Sequence, residues 1–223
     1  MEFEELNSNA KHNAISQYGE PPDDWYEEVF AQYICDKAVE ATGMFVDDIQ
    51  YSGFYSQGDG ASWTGRVNLD DFIQYYVTPT HPNAGLYTIL LELMREDWIG
   101  SRALIYTNSF MYVHSGGMRI EGVTITADID ADDNDSVFTQ GIFQGAGING
   151  VVRAINIESL VNDLEEWVLE EAKSLADDIY KALRSEYEAY TSEETFKELI
   201  YINGWRFDSK GNISTEKEIA HGI

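Results

Sequence analysis

Apolar residues recur at threes and fours through the last third of the chain, at Leu160, Leu164, Trp167, Val168, Leu175, Ile179, Leu183 and Tyr187. That period predicts one amphipathic helix over 158–190, about 50 Å long at about 1.5 Å per residue. Its other face carries Asp163, Glu166, Glu170, Asp177 and Glu188, with Asp177 and Lys181 spaced as an i,i+4 pair. Leu6, Ala10, Ala14 and Tyr18 predict a short first helix before the break at Gly19-Glu20-Pro21-Pro22. Asp24 and Glu27 have capping-box spacing ahead of Trp25, Val29, Tyr33 and Ala41, and Gly43 closes that helix. Leu86, Leu90, Leu93 and Met94 mark a further core helix ending near Gly100. Thr191 with Glu194 opens a last helix that Asn203-Gly204 ends, and a small hairpin follows around Asp208-Ser209-Lys210-Gly211.

Between these helices the pattern changes to β-branched and aromatic runs. Residues 49–55 and 63–68 read as two strands flanking a polar loop. From Arg102 to Thr126, turn signals at Asn108-Ser109 and Ser115-Gly116-Gly117 predict a meander of two or three strands. Residues 128–135 and 141–150 read as loops, with Val137, Phe138, Ile142 and Phe143 as their core anchors. The expected class is α+β: N-terminal helices, a central antiparallel sheet of about four or five strands, and a long amphipathic C-terminal helix packed on it. Residues 1–223 are read as one domain, divisible into a helix/sheet core (1–155) and a helical C-terminal part (156–223).

Composition changes this picture through charge. The chain holds 40 acidic and 14 basic residues, a formal net charge of −26, so direct binding to nucleic acid or to an anionic membrane is disfavoured. The acids outnumber the bases 13 to 2 up to residue 60, 5 to 4 from 61 to 120, and 22 to 8 beyond. The neutral middle is the expected sheet, and the acidic ends are the helices. With 13% aromatic residues the chain is too rich in core-forming side chains for a disordered polyanion. No leader pattern or membrane-length apolar run is present, so a cytoplasmic protein is expected. The one cysteine, Cys35, falls in a helical pattern and reads as a buried thiol.

The most specified stretch is Tyr51-Ser52-Gly53-Phe54-Tyr55-Ser56-Gln57-Gly58-Asp59-Gly60-Ala61, a glycine-hinged polar loop between aromatic arms. Ser52, Gln57 and Asp59 are read as bonding backbone amides, and Gly53, Gly58 and Gly60 as holding conformations that side chains disfavour. The block extended back to Ile49-Gln50 (Ile49 to Ala61), the Asp24-Trp25-Tyr26 helix, Leu183-Arg184-Ser185-Glu186-Tyr187-Glu188-Ala189-Tyr190-Thr191-Ser192 and Asn203-Gly204-Trp205-Arg206-Phe207 together resemble a family of small acidic phage and prophage proteins. Ser62-Trp63 stands where that family has Cys-Phe, and the resemblance does not extend over 64–182. It implies a phage-encoded accessory protein acting in a bacterial cytoplasm, with anti-defence or host-takeover work. It implies no catalytic residues.

Motifs suggestive of chemistry meet structural objections. Gly145-Ala146-Gly147-Ile148-Asn149-Gly150 has dinucleotide-fingerprint spacing, but the mostly helical sequence after it cannot supply the parallel strands that fold requires. Asp128, Asp130, Asp132, Asp133 and Asp135 resemble a calcium loop, yet Asp133 stands where glycine belongs and Thr139 where the bidentate Glu belongs. His12, His81, His114 and His221 lack zinc spacing. Ser56, Asp59 and His114 are a triad in composition only, and Gly-x-Ser-x-Gly is absent. Ser56–Gly60 as an anion-binding nest is opposed by its acidic neighbours. No cofactor, metal or catalytic residue is therefore expected.

The functional expectation is inhibitory binding. Glu27, Glu28, Asp47, Asp48, Asp163, Glu165, Glu166, Glu170 and Glu171 imitate a phosphate array and occupy the basic groove of a host nucleic-acid-binding or defence protein. The alternatives are a small-ligand module or enzyme centred on Ser52, Gly53, Ser56, Gln57, Gly58, Asp59 and Gly60, and a structural or assembly protein whose charge serves solubility.

Overall fold

A computed structural model describes residues 1–78, 80, 84–97, 99–107, 114–124 and 157–214. The elements are α1 (Ser8–Tyr18), α2 (Glu27–Ile34), α3 (Lys37–Glu40), β1 (Met44–Ser52), β2 (Gly60–Asn68), α4 (Leu69–Tyr76), α5 (Ala84–Arg95), β3 (Arg102–Thr107), β4 (Met118–Glu121), α6 (Ile157–Tyr190) and α7 (Glu193–Asn203). This is the expected α+β class, with N-terminal helices, a four-stranded antiparallel sheet and a long C-terminal helix. Among the described residues no helix is long and apolar enough to cross a membrane. The acidic and glycine-rich motifs at 128–150, with their proposed anchors, and the Asn108-Ser109 turn lie outside the described residues.

Two compact units can be distinguished: Phe30–Tyr180, and Met1–Val29 together with Lys181–Ile223. In the first, the strand order is β1-β2-β3-β4, so sequence neighbours pair throughout. One sheet face gathers Met44, Val46 and Ile49, then Ala61, Trp63 and Val67, then Ala103, Ile105 and Met118, all buried. A bulge in β1 makes this possible. Val46 pairs with Gly65 but Asp48 with Thr64, so Asp47 is the extra residue, and Val46 and Ile49 both face inward despite an odd spacing. A Cβ on Gly65 would sit 2.0 Å from the Phe45 carbonyl oxygen, so only glycine fits opposite the bulge. The same bulge hid the start of β1 from a reading based on alternation, which began it at residue 49.

Helix α6 covers that face with Leu160, Leu164, Val168, Ala172, Ala176 and Ile179, all buried. Ala172 and Ala176 are fully buried within the stripe, and the Trp63 indole donates from Nε1 to the Ala172 carbonyl at 2.9 Å. Small residues here let the ring reach the helix backbone. Trp167 meets Phe72 of α4 and Tyr87 of α5, with ring centroids 4.8 and 5.2 Å away. Helix α4, which the sequence reading left unassigned, begins where Asn68 accepts from the Asp70 amide, and it buries Leu69, Phe72 and Ile73.

The second expected helix, drawn from Asp24 to Gly43, is two. Asp24 lies in a turn before α2, and Asp36 restarts the chain as α3 by accepting from the Ala38 amide at 2.7 Å. Cys35, expected to be buried, is exposed at that break. In the other unit, Phe3, Leu6, Ala10 and Ala14 form a core with Phe196 and Phe207. Ser192, rather than Thr191, caps α7 by accepting from the Thr195 amide, and Gly204 ends it at φ 64. The expected hairpin is present as a bridge between Phe207 and Ile213, turning about Asp208. The Asp208 carboxylate is held below its ordinary 3.8 by Asn212, whose side chain and amide both donate to it, and by the Lys210 amide.

Trp63→Phe keeps most of the buried area but removes the indole donor from the Ala172 carbonyl, which keeps its helical bond from the amide four residues on, and should cost about 1 kcal/mol. Ala172→Leu should cost about 1–3 kcal/mol by overpacking and Gly65→Ala a comparable amount, whereas Asp47→Ala should be nearly neutral; urea unfolding measures all four. Because the folded pKa of Asp208 is depressed, its contribution is complete above 3.8 and is lost as pH falls through the lower folded value. NMR titration of the Lys210 and Asn212 amides should show a midpoint below 3.8, absent in Asp208→Asn.

Candidate functional site

The two candidate surfaces are the β1–β2 loop and the acidic face of α6. In the loop, the Asp59 carboxylate accepts from the Ser56 amide through Oδ2 at 2.6 Å, while the Asp59 amide donates back to the Ser56 carbonyl at 3.2 Å. Ser52 Oγ accepts from the Gly60 amide at 3.3 Å. Ser52 and Asp59 thus do what the sequence suggested, whereas the Gln57 side chain is exposed and no such bond involves it. Of the three glycines, Gly58 alone has positive φ (97). Gly53 is needed for space, since a Cβ would come to 3.0 Å of Asp59 Oδ2, and Gly60 is a regular strand residue with no positive φ. Phe54 anchors the loop by stacking between Tyr51 and Tyr180, with centroids 5.7 Å away in each case.

This geometry makes the loop rigid and spends its carboxylate internally. His114 uses Nδ1 to accept from the Gly116 amide at 3.0 Å, capping a short 3₁₀ turn, while Ser56 is exposed. Among the described residues no cluster of three His, Cys, Asp or Glu side chains has metal-binding geometry.

The nine acids separate into groups. On α6, Asp163, Glu166 and Glu170 are exposed, as is Asp177. At about 100° per residue these four fall within about 60° of arc, opposite the buried stripe. Glu165 and Glu171 do not join them. Each borders the stripe and is half-buried: Glu165 lies four residues after Val161 and three before Val168, and its Oε1 accepts from the Val123 amide at 2.5 Å. Glu171 accepts from Trp167 Nε1 at 3.2 Å and lies beside Tyr76, whose phenol is pushed up to about 12 by burial and then by that carboxylate. Asp47 and Asp48 are exposed at the β1 bulge, Asp47 facing Arg66 at 3.7 Å. They have a structural role in that place, since charge and a bulge both discourage edge-to-edge strand pairing. Glu27 and Glu28 are exposed in the first turn of α2, where negative charge suits the helix dipole.

The described residues form an α+β scaffold with an internally hydrogen-bonded hairpin loop and a row of exposed acids along α6. Residues 25–193 match the family described as a domain of unknown function (DUF8835), and the chain belongs to that family. No curated protein and no solved structure matches the chain.

Ser62 is fully buried on the sheet face opposite Trp63, and among the described residues its Oγ has no hydrogen-bond partner. A thiol needs no such partner, so cysteine suits the site better than serine. Ser62→Cys should therefore raise stability, by about 1 kcal/mol, whereas Asp59→Ala should lower it by a similar amount through the lost Ser56 amide bond. Differential unfolding in urea tests both, with Gln57→Ala as the neutral control.

Proposed function

We propose that the protein is an acidic, non-enzymatic binder, a phage-encoded accessory protein that occupies the basic groove of a host nucleic-acid-binding or defence protein in the bacterial cytoplasm. The observation that carries this reading is the row Asp163, Glu166, Glu170 and Asp177 on one exposed face of α6. Neither Glu165 nor Glu171 dilutes it, because both are committed to internal hydrogen bonds.

The magnitudes define how far the likeness to nucleic acid goes. From Asp163 to Asp177 the helix rises about 21 Å, over which one DNA strand carries about six phosphates and a duplex about twelve. Four carboxylates therefore imitate part of one strand. The match is sufficient to compete for a basic groove at low salt and insufficient to replace a full operator. The rigid loop is less suited to ligand chemistry, since Asp59 is occupied by the Ser56 amide.

The test uses the full chain immobilised against bacterial lysate, with elution by duplex DNA. Proteins retained in low salt and released by DNA should be lost as salt rises. They should also be lost in the combined variant Asp163→Asn, Glu166→Gln, Glu170→Gln, Asp177→Asn, while Glu165→Ala, which removes the acceptor for the Val123 amide, should lower the melting temperature and leave retention unchanged. Retention that survives both high salt and the four-site variant would exclude the reading.

A further inference from the structure

A second surface, independent of the α6 row, lies on α7. Helix α7 turns Phe196, Leu199 and Ile200 toward the core shared with Phe3, Leu6, Ala10, Ala14 and Phe207. Its opposite face bears Glu194, Glu198, Tyr201 and Ile202 at i, i+4, i+7 and i+8. Tyr201 is 89% exposed and Ile202 75%, adjacent residues that with Tyr55 at 72% are the most exposed large apolar side chains among the described residues. These residues and Lys197 line an open recess of about 520 Å³. Neither Glu194 nor Glu198 is paired among the described residues, because the nearby cation, Lys197, is held by Glu4 at 2.7 Å and Glu193 at 2.9 Å. All six residues of the core beneath lie outside the 25–193 family match, so this surface belongs to the part of the chain that the family pattern does not specify.

Exposed tyrosine and isoleucine have a cost in water that solubility alone does not explain, and their flanking charges select the occupant. A nucleic acid or anionic lipid surface is repelled by the two free carboxylates. A second copy meeting α7 with α7 would bring Glu194 and Glu198 against their own counterparts. A cationic side chain is favoured twice, by the π-face of Tyr201 and by the carboxylates one and two turns before it. We propose that this face of α7 docks a basic amphipathic segment of a partner protein. In that arrangement an Arg or Lys lies over Tyr201 with its head at Glu198 or Glu194, and an apolar residue covers Ile202.

The experiment measures fluorescence anisotropy of a labelled helical peptide of about 15 residues, with arginine and leucine on one face, titrated with the full chain at physiological salt. Tyr201→Ser and the pair Glu194→Gln/Glu198→Gln should each weaken binding roughly tenfold, because anchors at the centre of a contact dominate its energy. A lysine peptide of equal charge without leucine should bind more weakly. The variant Asp163→Asn/Glu166→Gln/Glu170→Gln should bind the peptide as the parent does, which separates this surface from the proposed function of α6. Circular dichroism melts should be unchanged in the α7 variants, as the replaced side chains are outside the core. Equal peptide affinity in the α7 variants, loss on changing α6 instead, or Tyr201-dependent self-association on gel filtration would overturn the proposal.

Discussion

The indole of Trp63 against the backbone of Ala172 is the contact on which the Phe30–Tyr180 unit depends. It ties the sheet to the helix backbone, and it imposes conditions on both. The helix must present small residues, and Ala172 and Ala176 are fully buried there. The strand must bring Trp63 to the inner face in register with Ile49, and the one-residue bulge at Asp47 keeps Val46 and Ile49 on that same face. Gly65 then follows by exclusion, because the Phe45 carbonyl occupies the space a side chain would need. A large buried ring with a satisfied N–H contributes apolar area without leaving an orphaned donor, which is the condition for a tryptophan at the centre of a core.

Charge is distributed according to that packing. A net charge of −26 opposes compaction by self-repulsion, and the fold offsets part of it locally. Glu165 and Glu171 are turned into hydrogen-bond acceptors at the edge of the helix stripe, Glu27 and Glu28 sit at a helix N-terminus, and Asp59 closes its own loop. Exposed ion pairs such as Arg184–Glu188 add little to stability. On α6, Asp163, Glu166, Glu170 and Asp177 stay exposed in one row, and on α7 Glu194 and Glu198 lie beside exposed apolar side chains.

The family boundary divides these surfaces. The α6 row and the β1–β2 loop lie within residues 25–193, whereas α7 and the core of Phe3, Leu6, Ala10, Ala14, Phe196 and Phe207 lie outside it. The flanking segments nonetheless have aromatic packing of their own, with Phe3 and Phe196 centroids 5.3 Å apart.

Periodicity alone determined the long helix, the first helix, the last helix with its hairpin, and the antiparallel α+β class, because each rests on a pattern local in sequence. The loop's internal hydrogen bonds were legible at Ser52 and Asp59 for the same reason: a short polar side chain reaches an amide only a few residues away. Tertiary structure decided the rest. The bulge at Asp47 made the first half of β1 look irregular, and Asp36 broke a continuous helical pattern by offering its neighbour's amide a better acceptor. Periodicity already put Glu166 and Glu170, and not Glu165 and Glu171, on the polar face of the helix, but it could not show what Glu165 and Glu171 would bond. That depends on what approaches each, the Val123 amide in one case and the Trp167 indole in the other. Nothing in the sequence sets Tyr201 and Ile202 apart as exposed, for the complementary reason: which apolar side chains a helix buries depends on where the rest of the chain comes to lie.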